Sequence, residues 1–313
     1  MTNLPGLHGL RVAYADSSPA LRSWVDSQLG APVVGHIPRE GGMSPAVAAS
    51  VQAADGSRAF VKAVSASVNP DTPNHFRHEI QVLSRLAPAS YRAQLLGTYD
   101  DGDWVAILLE DIDGGHPNWD HPHHRAQVLE TVQAQTRELT PAPELGVTST
   151  ALAAFDKYAA TLQELSEREL TVMPAWVAGQ LDQLSELVAS TRTGLTADSF
   201  CHWDIRQDNI VLRADTGQPV LVDWGMSRHG PVWGDVMCLG LEWVDTPYFD
   251  DLVGSCHLEA DDERYVTGFL VALGIASAVT SLNPAPPGLP HMPAFRAQLA
   301  RRTLEGVRRR LHL

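Results

Sequence analysis

A histidine, an aspartate and an asparagine stand in the spacing H-x-D-x-x-x-x-N at His202, Asp204 and Asn209, and the turn Asp223-Trp224-Gly225 follows them. This arrangement constrains the chain more than any other feature. Between its halves lie Ile210 to Arg213 and Val220 to Val222, two short strand-like runs around Asp215-Thr216-Gly217. The hairpin they form returns the chain, so that Asn209 and Asp223 face one cleft. Phosphoryl transfer asks for this set. It needs a carboxylate to orient a hydroxyl nucleophile and take its proton, and oxygen ligands for magnesium, which neutralises phosphate charge. Asp204 is the candidate carboxylate, and Asn209 and Asp223 are the candidate metal ligands. Either half alone reads equally well as a loop with a capping Asp or a turn-forming Asn. The two halves together match the catalytic and metal-binding segments of a kinase.

A kinase also needs a loop over the phosphates, a lysine on a nearby strand and a helix glutamate to hold that lysine. The turn Gly41-Gly42-Met43-Ser44-Pro45 supplies the loop, since successive backbone N–H groups bind anions without side-chain charge. Lys62, in Phe60-Val61-Lys62-Ala63-Val64, is one of only two lysines, the other being Lys157. In so arginine-biased a chain, a retained lysine suits a site that needs a compact ammonium. Glu79 is the candidate partner, on a helix from Pro73 to Leu86 that carries Phe76, Ile80, Leu83 and Leu86 at helical spacing.

The surrounding pattern predicts a small sheet first and helices afterwards. Ser18 to Leu29 reads as a helix closed by Gly30, and Val33 to Ile37 as a strand. Ala46 to Gln52 and Arg58 to Val64 form a hairpin around Asp55-Gly56, and Ala93 to Tyr99 and Trp104 to Leu109 form another. Helices are expected over Arg125 to Leu139, Ala151 to Arg168, Pro174 to Ser190, Glu263 to Ala278 and Pro293 to Leu311. The fold expected is α+β, a two-lobed protein-kinase-like architecture with a small β-rich N-lobe and a larger, mostly helical C-lobe. We place a nucleotide-binding lobe at 1–110, a hinge and linker at 111–122, and a helical lobe with the catalytic loop and substrate site at 123–313.

These motifs resemble the aminoglycoside phosphotransferase family, which includes choline-kinase-like and homoserine-kinase-like enzymes. The match is dense in short motifs between about Val33 and Asp245. The resemblance implies ATP (or GTP) and Mg2+ as cofactors, the catalytic aspartate at Asp204 and the metal ligands at Asn209 and Asp223. It implies that the Gly41, Gly42 and Ser44 loop caps a phosphate and that Lys62, held by Glu79, reaches the phosphates. Leu108-Leu109-Glu110-Asp111-Ile112 resembles the hinge, where backbone at Asp111 and Ile112 would bond the adenine edge. Asp235, in Trp233-Gly234-Asp235-Val236, would brace the catalytic loop near His202. One departure stands out: many members have glycine after the histidine, where this chain has Trp203.

Composition narrows the partners. The formal net charge is -14, from 23 basic and 37 acidic side chains. That argues against nucleic-acid and anionic-membrane partners, and it suits a cationic small molecule or simple solubility. Three scattered cysteines make neither a disulfide scaffold nor a zinc site. Met1 to Leu10 lacks the pattern of a signal peptide, and Phe269 to Val279 is too short to span a bilayer, so a cytoplasmic location is expected. No obligatory protein partner is implied. Histidines 116, 121, 123 and 124 read as a solvated loop, and the arginine run 301–310 as a surface face. The acids between Asp245 and Glu263 read equally as an amine-gripping patch or as solvated surface.

The function expected is transfer of the ATP γ-phosphoryl group to a hydroxyl of an antibiotic or similar polar natural product. The alternatives are a metabolic kinase for a sugar, choline-like or amino-alcohol acceptor, and a nucleotide-binding pseudokinase. The complete Lys, Glu, Asp, Asn, Asp set argues against the pseudokinase. The lack of an A-P-E ending after Asp223 argues against a protein kinase.

Overall fold

Ser18 accepts a hydrogen bond from the Leu21 amide at 3.1 Å, Pro19 opens the first turn, and Gly30 closes it at φ 77°, so helix α1 (Pro19–Leu29) has both ends specified locally. The structure is a computed structural model and describes residues 11–39, 44–256, 258 and 260–313. After α1 come strands β1 (Val33–Pro38), β2 (Val47–Ala53) and β3 (Arg58–Ser65), then helix α2 (Thr72–Leu83), then β4 (Leu95–Asp100) and β5 (Trp104–Leu109). The five strands form an antiparallel sheet in the order β1-β2-β3-β5-β4.

Alternation along β3 sorts its side chains onto two faces. Ala59, Val61 and Ala63 join Leu21 and Val25 of α1 in one core. Phe60 and Val64 face the other way, into a core with Phe76 and Val82 of α2. Lys62 shares that second face, which is why its ammonium can reach a carboxylate on α2. The second core also takes in Phe200, Val220 and Trp224, so it runs from the sheet into the region of the Asp-Trp-Gly turn.

The segment expected as a plain linker carries a short strand, β6 (Gly114–Gly115), which pairs with β8 below. A Cβ on Gly114 would lie 2.0 Å from the Leu212 carbonyl oxygen, so this pairing requires glycine. The helical part begins with α3 (Pro122–Glu138) and α4 (Ala151–Gln163). The two long helices expected next are broken. A capping box at Ser166 and Glu169 starts a separate α5 (Glu167–Leu170), and Gly179 divides α6 (Ala175–Ala178) from α7 (Leu181–Gly194). Strands β7 (Ser199–Cys201), β8 (Ile210–Arg213), β9 (Pro219–Leu221) and β10 (Arg228–Gly230) frame the catalytic segment. β8 and β9 form the expected hairpin, while β7 pairs with β10. Then follow α8 (Gly234–Gly240), α9 (Tyr248–Gly254), α10 (Ala260–Thr280) and α11 (Met292–Arg310). Helix α10 is buried along most of its length, with Phe269, Leu270, Val271 and Ile275 in the largest core. Among the described residues no helix is long and apolar enough to cross a membrane.

Candidate active site

Lys62, at mid-strand in β3, is 8 % exposed. Its Nζ donates to Glu79 Oε2 at 2.7 Å and to Asp223 Oδ1 at 2.6 Å, and it lies 4.8 Å from the centroid of the Phe76 ring. Glu79 has no exposed surface, and its Oε1 accepts from the Trp224 amide at 3.2 Å. One carboxylate of α2 thus fixes both the lysine and the turn that carries Asp223. Burial alone would lower the Lys62 pKa, but Asp223 and Glu79 outweigh it and hold the ammonium charged. Burial pushes the Glu79 carboxyl up, with Lys62 opposing. For Asp223 the balance reverses: burial would raise it, but Lys62 prevails and the group stays below its ordinary value.

The catalytic segment is held by buried hydrogen bonds. The Asp235 carboxylate accepts from the His202 amide at 3.0 Å, the Trp203 amide at 2.8 Å and Gln135 Nε2 at 2.7 Å. His202, fully buried, has its pKa lowered by desolvation. In the neutral form its Nε2–H donates to the Val222 carbonyl at 3.0 Å and its Nδ1 accepts from the Asp204 amide at 3.4 Å. These two bonds tie the loop to the strand end that precedes Asp223. Asn209 Nδ2 donates to Asp204 Oδ2 at 2.8 Å and to its carbonyl at 2.9 Å, which leaves the Asn209 amide oxygen as the atom able to meet a cation. Burial raises the Asp204 carboxyl, and Arg206, with Nε 3.9 Å from Oδ1, opposes the rise. Arg206 is itself held by Asp208 at 2.8 and 2.6 Å.

Two residues near Asp204 have unusual backbone. Asp223 has φ 67° and Trp203 has φ 66°, in the left-handed region that L-residues seldom adopt. The second value gives a physical reason why glycine suits the position after His202. Here the tryptophan is retained by packing, since its ring lies against Gly230 and Gly234. A Cβ on Gly234 would come within 2.6 Å of that ring.

A cleft of about 350 Å³ opens beside Lys62. Ala48, Phe60, Ala93, Leu109, Ile112 and Val222 supply its apolar walls, and Lys62, Asn209 and Asp223 its polar end. The Asp111 side chain serves another purpose than ligand binding. It accepts from Ser50 Oγ at 2.5 Å and from Arg58 Nη2 at 2.6 Å, so only its backbone is left to a nucleotide. Gly41 and Gly42 lie outside the described residues, whereas Ser44 lines the cleft. Arg11 lines it too, and its Nη1 donates to the Ser44 carbonyl at 3.2 Å. No motif marks Arg11 in the sequence, so only the tertiary structure reveals it.

The histidine-rich loop holds no candidate metal cluster among the described residues. His116 bonds the Ile210 carbonyl at 2.9 Å and lines the cleft, and His124 Nδ1 accepts from the Asn118 amide at 3.0 Å. The arginine run is no plain surface face, because it neutralises part of the acidic cluster. Arg302 pairs with Asp245 at 2.7 Å, and Arg309 and Arg310 both pair with Asp250.

The family profile described as a phosphotransferase enzyme family matches residues 37–266. Among solved structures, the chain is similar to aminoglycoside phosphotransferase APH(4)-Ia in complex with ADP and hygromycin B. That pair has TM-score 0.60 and 13 % identity over 92 % of this chain and 98 % of that one. It is similar to an aminoglycoside phosphotransferase from Alicyclobacillus acidocaldarius, with TM-score 0.62 and 16 % identity over 96 % and 99 % of the two chains. It is also similar to the choline kinase LicA from Streptococcus pneumoniae, with TM-score 0.59 and 13 % identity over 92 % and 97 %. No curated protein matches the sequence.

Proposed function

The chain belongs to the phosphotransferase enzyme family, as an ATP-dependent enzyme with a hydroxyl acceptor, and we propose that it phosphorylates a polar natural product, the class that includes antibiotics. The observation that carries the reading is the Lys62, Glu79 and Asp223 triad beside Asp204 and Asn209. In this reading the nucleotide base lies between the apolar walls of the cleft and meets backbone at Asp111 and Ile112. Lys62 donates to phosphate oxygens, with Glu79 keeping it in place, and Ser44 belongs to the loop over the phosphates. The Asp223 carboxylate and the Asn209 amide oxygen are hard oxygen donors and fit a magnesium ion, which would neutralise phosphate charge. Asp204 aligns the acceptor hydroxyl and takes its proton. The acceptor oxygen bonds to the γ-phosphorus as the bond from that phosphorus to the ADP oxygen breaks.

Asp204→Asn tests the assignment on two readouts. Release of ADP dependent on an alcohol acceptor should fall by roughly 10³-fold, because the variant removes both the base and the charge that positions the hydroxyl. Thermal stability should rise. A carboxyl raised by burial binds its proton more tightly in the folded state, so its contribution to stability declines as pH rises through the interval between the ordinary and the raised value. At neutral pH the ionised form therefore costs stability, and the amide removes that cost. A variant that loses stability and keeps turnover would assign Asp204 a structural role instead.

A further inference from the structure

The acceptor side of Asp204 points to the charge of the substrate, an inference that rests on the phosphotransferase reading above. Trp203, directly before Asp204, packs edge-on against Phe269 at 5.5 Å between ring centroids, and Tyr158 packs edge-on against the same ring at 6.1 Å. The Arg228 guanidinium lies over the Trp203 ring, 5.5 Å from its centroid. Its Nε donates to the Met226 carbonyl at 3.0 Å. Among the described residues no carboxylate forms an ion pair with Arg228. The half-buried Tyr158 hydroxyl has no hydrogen-bond partner among the described residues. Arg228 thus lies on the ring of the residue that precedes Asp204, with donors to spare.

Several arginines elsewhere in the chain are neutralised by carboxylates. Arg302 is met by Asp245, Arg206 by Asp208 and Arg213 by Glu110. A half-buried guanidinium without a carboxylate, its plane fixed by an indole, presents a rigid fork that fits the paired oxygens of an anion. A cationic acceptor would meet like charge at the same place. We propose that the acceptor carries an oxyanion, a carboxylate or phosphate monoester, which Arg228 grips beside Trp203. The Tyr158 hydroxyl, on the same aromatic cluster, is the further donor, and together they hold the substrate hydroxyl toward Asp204. Asp245 and Asp250, which could have gripped a cationic acceptor, are taken up instead by arginines of α11.

The test is calorimetric titration of the full chain, saturated with magnesium and a non-hydrolysable ATP analogue, with glycerate, glycerol 3-phosphate and glycerol. The two anions should bind at least ~10-fold more tightly than glycerol, as charge-assisted bonding to a guanidinium implies. The tighter of the two tells carboxylate from phosphate. Arg228→Gln should abolish most of that preference and leave affinity for the ATP analogue unchanged, and Tyr158→Phe should remove a smaller part. Equal binding of all three probes would overturn the proposal, as would an anion preference that survives in Arg228→Gln. If Arg228→Gln no longer binds the ATP analogue, Arg228→Lys replaces it, with partial loss of the preference expected and full retention overturning. Failure of the phosphotransferase reading would register separately, as absence of acceptor-dependent ADP release.

Discussion

The two regions on either side of the Asp204 loop are built on opposite principles. On the side proposed for the nucleotide, the buried charges of the described residues are paired within the protein. Lys62 is shared by Glu79 and Asp223, and Arg206 by Asp208. On the side proposed for the acceptor, Trp203, Tyr158 and Phe269 form an aromatic cluster on which Arg228 lies without a carboxylate among the described residues. The difference teaches where the family's shared chemistry ends and the individual enzyme begins. Handling a triphosphate imposes a set of charges at set distances, because catalysis there is mostly positioning and electrostatics. The acceptor imposes only its own shape and charge, so that side is free to change with the substrate.

The comparison can be broken or sharpened by substitution on each side. Lys62→Met should have the largest effect, lowering kcat by about 10²-fold or more, because it leaves Glu79 and Asp223 as buried carboxylates without their cation and removes the phosphate donor. Steady-state kinetics at saturating acceptor measure it, and near-normal kcat would break the contrast by showing the triad to be a structural ion pair. Trp203→Gly should act on the acceptor side alone. It relieves left-handed strain worth about 1–2 kcal/mol but empties a space whose loss costs about 3–5 kcal/mol, for a net destabilisation of roughly 2 kcal/mol in denaturant unfolding. Its KM for acceptor should rise while that for ATP holds, and equal rises in both would merge the two sides. Arg11→Ala should be the smallest change, a few-fold rise in KM for ATP with acceptor KM untouched, since an exposed-edge cation adds about 1 kcal/mol to phosphate binding. A rise in acceptor KM instead would move Arg11 to the other side.

Legibility in the sequence followed the same division. Asp204, Asn209 and Asp223 could be read as one candidate set because a hairpin joins them in a short stretch of chain, and local spacing carries that information. Lys62 and Glu79 could be read as candidates because strand alternation and helical spacing are also local. Helix ends were harder. Ser166 and Glu169 form a capping box visible in the sequence, yet the apolar pattern through Ala151 to Arg168 concealed it. Strands β7 and β10 were missed because each is three residues long and pairs with a partner distant in sequence. Arg11 and Arg228 could not be read, because an arginine shows its role only by what lies around it. The arginines of α11 show this most plainly: the pattern read as a surface face, while the fold pairs Arg302 and Arg310 with acids of another segment.

By itself, the sequence determined the α+β outline, the candidate set of Lys62, Glu79, Asp204, Asn209 and Asp223, and the glycine-to-tryptophan departure at Trp203. Periodicity, turn chemistry and close motif spacing are all written within a few residues of one another. Only the tertiary structure decided which acids remain available, which arginines remain without a carboxylate, and what Trp203 packs against. Those outcomes depend on pairings across the chain, such as Asp245 with Arg302 and Trp203 with Phe269, whose partners meet only after the helices have packed.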